Sequence, residues 1–264
     1  MKKSYVLLHL AVILAGFTGI FGKLISLNEG LLVWYRLLFS TLILFVILKS
    51  LRIPYTISTR GKFHIAKVGI LITLHWLFFY ASIKYANISI GVVCYCLTSF
   101  FTAVFKPLID KERFKISELL LSLLTVFGIS LIFHFDTSYQ LGIGLGVISS
   151  AIGALYTIFN KRLVQHYDTK VINYYQMLSG TVCLGAVLPV YLYFFPVESV
   201  IPGMKDIEVL KKIPAFTVNL TFNLEPVYAI IMAFLFFDES KQWPLRDMYC
   251  FFRDQLVQFI CRKL

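Results

Sequence analysis

The sequence predicts an all-α membrane protein, a bundle of helices that crosses the bilayer many times. Hydrophobic residues make up 58% of the 264-residue chain and charged residues only 15%, against about 45–50% and about 25% in soluble domains. The apolar residues are gathered in runs close to the ~20 residues needed to cross a bilayer, and basic residues lie between these runs. This pattern excludes a soluble enzyme, a disordered protein and a small disulfide-stapled secreted domain.

The first apolar run, 5–21, follows Lys2 and Lys3 and resembles a signal peptide. The run is long, however, and Gly22 and Lys23 at its end do not form a cleavage site of the Ala-x-Ala type, so we expect a retained first span. Seven further runs with few charges follow, and helices are the only form in which such segments cross a membrane. These predicted spans are 31–48, 65–83, 88–109, 116–135, 141–159, 171–195 and 214–237.

Every second loop between the predicted spans is basic. Loops 49–64, 110–115 and 160–170 each carry at least three Lys or Arg residues, whereas the intervening loops carry only Lys23, then Lys84, then none. Because basic loops stay on the cytoplasmic side, we predict a multi-pass protein of the inner cell membrane with a cytoplasmic N-terminus. The same pattern explains the net charge of +11 without a nucleic-acid partner, since no basic stripe with interleaved aromatic residues lies outside the apolar runs.

Part of the first half is repeated in the second. Residues 84–112 (KYANISIGVVCYCLTSFFTAVFKPLIDKE) align without gaps with residues 211–239 (KKIPAFTVNLTFNLEPVYAIIMAFLFFDE). Both segments begin with Lys, carry polar residues near the middle of an apolar run and end in an acidic cluster. Two repeats of five spans have opposite orientations because five is odd. Such inverted repeats place the substrate site of secondary transporters near the midplane of the membrane.

Four features of the sequence resemble the EamA family of the drug/metabolite transporter superfamily, over roughly residues 1–240. They are Trp34-Tyr35-Arg36-Leu37-Leu38, the 84–112 segment, Asn160-Lys161, and the segment from Leu224-Glu225-Pro226-Val227 to Asp238-Glu239. The resemblance implies ten transmembrane helices in two five-helix inverted repeats around a central cavity. We assign the first repeat to 1–136 and the second to 137–240.

The second half departs from this pattern in two places. Residues 190–211 should match the third span, but they contain Pro196, Pro202 and several charges, so the eighth helix is predicted to be missing. Five charged residues interrupt every 18-residue window of 242–262, and each costs roughly 2.5–3.5 kcal/mol at the centre of a helix on insertion scales. We therefore expect an atypical polar tail, 241–264, in place of the last span, and eight spans instead of ten.

The loss of one helix would reverse the direction of the ninth, so that it could not pack as the symmetry mate of the fourth. Two explanations stay open at this point. One is a deletion and frameshift in the coding DNA, and the other is a genuine shortened variant.

Glu225 is the first candidate for the site, because a carboxylate within the membrane is costly and indicates a functional group with a partner. It lies halfway along 214–237, next to Pro226, and Asn219 and Asn223 lie close to it, one turn apart. A structural hydrogen bond to a neighbouring helix is the alternative. Arg36 is predicted to pair with Glu225 or with a substrate carboxylate, or else to extend to the outer interface as long basic side chains do.

Other polar and aromatic residues in the spans are individually as consistent with packing, but together they predict a polar pocket among apolar walls. They are His75, Trp76, Tyr80, Tyr95, Thr98, Tyr175 and Gln176. A series of small residues, by contrast, recurs at helical spacing and is assigned to close helix packing. The series is Gly142, Gly146, Ser149 or Ser150, and Gly153.

The predicted function is the transport of a small organic metabolite by alternating access, either proton-coupled or facilitative. The alternative is a truncated or degraded family member that does not transport. Such a protein could also form a homodimer, in which a second copy completes the helix bundle. The five histidines form no H-x-x-x-H pair and no phosphate-binding loop is present, so we predict no enzyme activity. The five cysteines show no metal-ligand spacing, and neither a metal nor a cofactor is expected. The expected partners are the lipid bilayer and the substrate.

Overall fold

The computed structural model describes residues 27–133 and 139–197, and within these ranges every long regular element is a helix. The apolar stretch Ile88–Asp110 is divided into two helices. This stretch and four others are long and apolar enough to cross a membrane. The helices are α1 (Glu29–Ser50), α2 (Thr59–Tyr85), α3 (Ile88–Tyr95), α4 (Thr98–Asp110), α5 (Ile116–Phe133), α6 (Gln140–Val164) and α7 (Thr169–Phe194).

This result confirms the all-helical, multi-pass class. The predicted spans between residues 31 and 195 each coincide with one of these helices or with the α3–α4 pair. The predicted spans 5–21 and 214–237 and the polar tail lie outside the described residues. The ten-helix plan, its two repeats and the missing eighth helix therefore stay predictions.

Polar side chains set the first residue of four helices. The side chains of Asn28, Ser58, Asn87 and Asp168 accept hydrogen bonds from backbone N–H groups in the first turns of α1, α2, α3 and α7. These bonds satisfy donors that have no partner within the helix. These four helices therefore start where a capping residue meets an apolar run.

Helix α2 lies at the centre of the described bundle and packs against α6, α7, α1 and α3. Small residues permit this close packing. A Cβ added at Gly69 would lie 2.6 Å from the carbonyl oxygen and 2.7 Å from the Cα of Gln176 on α7. On α6, Gly142, Gly146 and Gly153 lie against residues of α2 and α3 or the turn between them, in agreement with the packing role predicted for this series.

The basic loops gather at one end of the bundle. The Tyr175 hydroxyl near the start of α7 donates to the Tyr55 carbonyl in the loop before α2, at 2.9 Å. At the same end, Arg162 of α6 forms an ion pair with Asp110 of α4. At the opposite end, Asn28 donates to the Phe195 carbonyl at 3.4 Å. The alternation of basic loops along the sequence therefore corresponds to two chemically different ends of the bundle.

The stretch Ile88–Asp110 is interrupted near its middle. The backbone N–H groups of Cys96 and Leu97 bond to the carbonyls of Val93 and Cys94, three residues earlier, at 3.0 and 2.9 Å. This is the bonding of a 3₁₀ turn, which often marks a hinge or a functional position within a helix. The Ser150 hydroxyl of α6 donates to the Cys94 carbonyl at 2.6 Å. The sequence predicts one continuous span over 88–109 and carries no sign of this break.

Candidate functional site

Arg36 is a buried cation within a predicted span. Its side chain is only 1% exposed, and its Cα lies about 10 Å along the helix from the first residue of α1, at 1.5 Å per residue. The guanidinium lies on the ring of Trp76, which is about 14 Å from the end of α2 on the same side of the bundle. The side chain therefore points to the interior, and the alternative that Arg36 extends to the outer interface is wrong.

Two side chains of α2 hold the Arg36 guanidinium. Its Cζ lies 4.1 Å from the centroid of the Trp76 ring and 5.7 Å from that of Tyr80. Its Nη1 donates to the Tyr80 hydroxyl. Trp76 and Tyr80 are four residues apart and therefore lie on one face of α2. Nε and Nη2 of Arg36 are buried, and no residue in the described part of the chain accepts a hydrogen bond from either.

Three further rings complete this group. The His75 ring centroid lies 5.2 Å from that of Tyr95, and the Phe79 centroid lies 6.0 Å from Tyr95 and 5.6 Å from Tyr80. We call the six side chains the Arg36 cluster. They are Arg36, His75, Trp76, Phe79, Tyr80 and Tyr95.

Helix α6 fixes the orientation of His75. The His75 Nδ1 lies 2.9 Å from the carbonyl oxygen of Ser149, which can only accept, so Nδ1 carries a proton. The Ser149 hydroxyl donates in turn to the His75 carbonyl at 2.9 Å. These reciprocal bonds attach the cluster to α6.

The remaining predicted residues lie elsewhere. Thr98 begins α4, on the far side of the 3₁₀ turn from Tyr95, and its buried hydroxyl oxygen has no partner among the described residues. Gln176 lies beside Gly69, about 10 Å along α2 from Trp76, and donates to Asn160 at 2.8 Å. Tyr175 lies at the basic end. The structure thus brings together Arg36, His75, Trp76, Tyr80 and Tyr95 but not Tyr175 or Gln176.

The candidates Asn219, Asn223 and Glu225 lie outside the described residues. Two residues of the observed site were not singled out from the sequence. Phe79 follows His75 by four residues and therefore shares its face of α2, a spacing that could have revealed it. Ser149 was placed within the small-residue series, and only the tertiary contact shows its bond to His75.

The chemistry of the cluster is that of an anion site in an aromatic setting. A guanidinium presents its N–H groups in a rigid plane that matches the two oxygens of a carboxylate or phosphate. Over 27–133 and 139–197, no group of three or more His, Cys, Asp or Glu side chains could hold a metal ion. The Arg36 cluster thus presents one buried cation among aromatic rings.

The sequence matches the model of the EamA-like transporter family over residues 2–134. It is 21% identical to an uncharacterized transporter of Clostridium kluyveri, over 91% of this chain and 87% of the relative. An uncharacterized transporter of Haemophilus influenzae is 25% identical over 55% of this chain and 51% of its own length. A solved crystal structure shares the fold, with a TM-score of 0.67 and 12% identity over 96% of this chain and 94% of that one.

Proposed function

Because this chain belongs to the EamA-like transporter family, we propose that it carries a small organic metabolite across the cell membrane by alternating access. The observation that carries the proposal is the Arg36 cluster. An ionisable side chain within a membrane span is costly and by default indicates a functional site. Arg36 is such a residue, and two of its donors are unpaired in the described part of the chain. The proposal assigns no catalytic role to the cluster.

The position of the cluster supports a carrier mechanism. Its members come from α1, α2 and α3, which belong to the first proposed repeat, 1–136. Its support, Ser149, comes from α6 in the second proposed repeat, 137–240. A site at such a boundary is exposed to one side of the membrane or the other when the two repeats rock against each other.

The break in Ile88–Asp110 supports the same mechanism. Secondary transporters often build their substrate sites from discontinuous helices near the midplane. Tyr95 is the last residue of α3 and Thr98 the first of α4, so both lie next to the turn. We assign the turn as the hinge that lets α3 and α4 tilt independently during transport.

Glu225 keeps the role proposed from the sequence. We expect a Glu225→Gln variant to insert into the membrane normally and to lose transport, because a buried carboxylate in a carrier binds substrate or a coupling proton. Uptake or efflux at the wild-type rate by this variant would contradict the role.

Cysteine accessibility tests alternating access without knowledge of the substrate. We expect a Thr98→Cys variant in proteoliposomes to react with a membrane-impermeant thiol reagent applied from either side, above the labelling of the wild-type protein. Val182→Cys is the matched control. Its side chain is 64% exposed on the apolar surface of α7, so it faces lipid and should react from neither side. Labelling of Thr98→Cys from one side only, or from neither, would contradict the proposal and favour a non-transporting family member.

A further inference from the structure

We propose that the transported molecule carries a carboxylate, and that Arg36 binds it through the Nε and Nη2 edge of its guanidinium. The inference rests on the proposed function and names the chemical class of the substrate. It follows from which edges of the guanidinium are occupied, from the charge of the cluster and from the side chains around it.

The guanidinium has one edge available. Its Cζ lies over the Trp76 ring, 4.1 Å from the ring centroid, and Nη1 donates to the Tyr80 hydroxyl. These two contacts hold the guanidinium against α2. Nε and Nη2 are the two unpaired donors, and their N–H groups lie side by side and nearly parallel on the same edge. Two parallel donors of this kind match the two oxygens of one carboxylate.

Burial of the Nε and Nη2 donors without a hydrogen-bond acceptor costs free energy in the protein without a bound substrate. Arg36 is 1% exposed, so water does not solvate its unpaired donors, and a buried charge without a partner is strongly unfavourable. A bound carboxylate satisfies both donors and neutralises the charge. The free energy that Arg36 costs the empty protein is therefore recovered when the substrate binds.

The charge of the cluster favours a carboxylate over a phosphate. Arg36 is the one Lys or Arg residue among the six side chains, and a carboxylate brings one negative charge to meet it. A phosphate monoester carries about −1.5 to −2 at neutral pH and would leave excess negative charge buried. The other side chains of the cluster are rings, so the body of the molecule is expected to be apolar or aromatic.

The sequence also predicts a pair between Arg36 and the carboxylate of Glu225, which would then occupy this edge in place of the substrate. The two occupants make opposite predictions. If the substrate fills the edge, added carboxylates bind to the wild-type protein. If Glu225 fills it, added carboxylates bind only after Glu225 is replaced.

Thermal unfolding of the purified full-length protein provides the test, since a ligand that binds the folded state raises Tm. The probes are benzoate, phenylacetate and isobutyrate, each paired with its neutral amide, together with inorganic phosphate. We expect the carboxylates to raise Tm when they are added at millimolar concentrations. The amides and phosphate should leave Tm unchanged at the same concentrations. Arg36→Gln should weaken carboxylate binding by at least about 30-fold, as expected when one partner of a buried, hydrogen-bonded charge pair is removed.

Two further variants keep the test decisive if Arg36→Gln does not fold. Arg36→Lys keeps the charge but loses the planar pair of donors, and we expect it to bind carboxylates at least tenfold more weakly. Arg60→Gln removes an exposed cation at the basic end and should bind them as the wild type does. Equal shifts with acids and amides, a shift with phosphate alone, no shift with any carboxylate, or unchanged binding by Arg36→Lys would each overturn the proposal. So would carboxylate binding that appears only in Glu225→Gln.

Uptake of the same probes into proteoliposomes separates this inference from the proposed function. Arg36-dependent binding of carboxylates without uptake would refute transport and leave the recognition intact. Uptake of the amides in preference to the acids would support transport and refute the proposal that the protein recognises a carboxylate.

Discussion

Replacement of Gly69 by alanine tests the contact that brings α2 against α7. The added Cβ would lie 2.6 Å from the carbonyl oxygen of Gln176 and 2.7 Å from its Cα, and closer still to the Ser179 hydroxyl. The Gln176 atoms belong to the backbone and cannot rotate away. Because ordinary van der Waals contact begins at 3.4 Å, the two helices must separate by about 0.8 Å.

The cost follows from the packing that this separation removes. A gap of 0.5–1 Å forfeits a quarter to a half of the dispersion attraction across it, and a buried side chain makes about 50 contacts worth about 0.1 kcal/mol each. Each buried side chain at the seam thus loses roughly 1–2.5 kcal/mol. Thr73, one turn along α2, also meets α7, at Gly180. Losses at two such positions amount to about 2–5 kcal/mol, and helix propensity returns about 1 kcal/mol. We therefore expect the free energy of unfolding to fall by about 1–4 kcal/mol.

The assay is unfolding in mixed micelles with increasing dodecyl sulfate, followed by tryptophan fluorescence. Gly144→Ala on α6 is the control, because a Cβ at Gly144 meets no atom within 4 Å. We expect the control to leave stability unchanged or to raise it by up to about 1 kcal/mol. A Gly69→Ala protein that unfolds within about 0.5 kcal/mol of the control would refute the packing argument.

Three other predictions concern stability and topology. Ser82→Ala removes the 2.7 Å hydrogen bond to the Gly142 carbonyl and should cost about 0.6–1.7 kcal/mol in the same titration, so unchanged stability would contradict a role for this bond. Asp110→Asn breaks the ion pair with Arg162 at the basic end, where the Arg162 side chain is 49% exposed, and should cost less than about 1 kcal/mol; a loss above about 2 kcal/mol would show that the pair is not a surface pair. Chains that are truncated within each basic segment and carry a topology reporter at the new C-terminus should place the reporter in the cytoplasm. A signal from outside the membrane for any of them would overturn the proposed orientation. These fusion points are Arg60, Arg113 and Lys161.

The helices could be predicted from the sequence because their signal is local. The run 31–48 lies within Glu29–Ser50, and 171–195 ends one residue beyond α7. The break after Tyr95 had no such signal, since no Gly or Pro occurs between residues 92 and 106. Conversely, Pro107 and Pro189 lie inside helices without ending them. The turn is held by the bond from Ser150 on another helix, which a pattern of local residues does not contain.

The candidate site could be predicted only in part, for a related reason. Arg36 could be identified as a basic residue inside a predicted span and a possible partner of Glu225, and His75, Trp76 and Tyr80 as polar and aromatic residues of the third span. Which neighbours each side chain meets depends on helix pairing. Tyr175 was grouped with the pocket by its residue type, yet it bonds to the Tyr55 carbonyl at the basic end. The same dependence left two directions open for the Arg36 side chain until its contact with α2 was known.

The central position of α2 also sets an order of events during synthesis. The Tyr80 hydroxyl is 44 residues from Arg36, whereas Ser149 is 74 residues from His75 and Ser179 is 113 residues from its partner Ala66. At 5–20 residues per second, the ribosome delivers Tyr80 about 2–9 seconds after Arg36, but Ser179 about 6–23 seconds after Ala66. The charged side chain thus meets its aromatic neighbours while the chain is still short. The neutral face of α2 that carries Gly69 remains in contact with lipid or the insertion machinery until α6 and α7 have been synthesised.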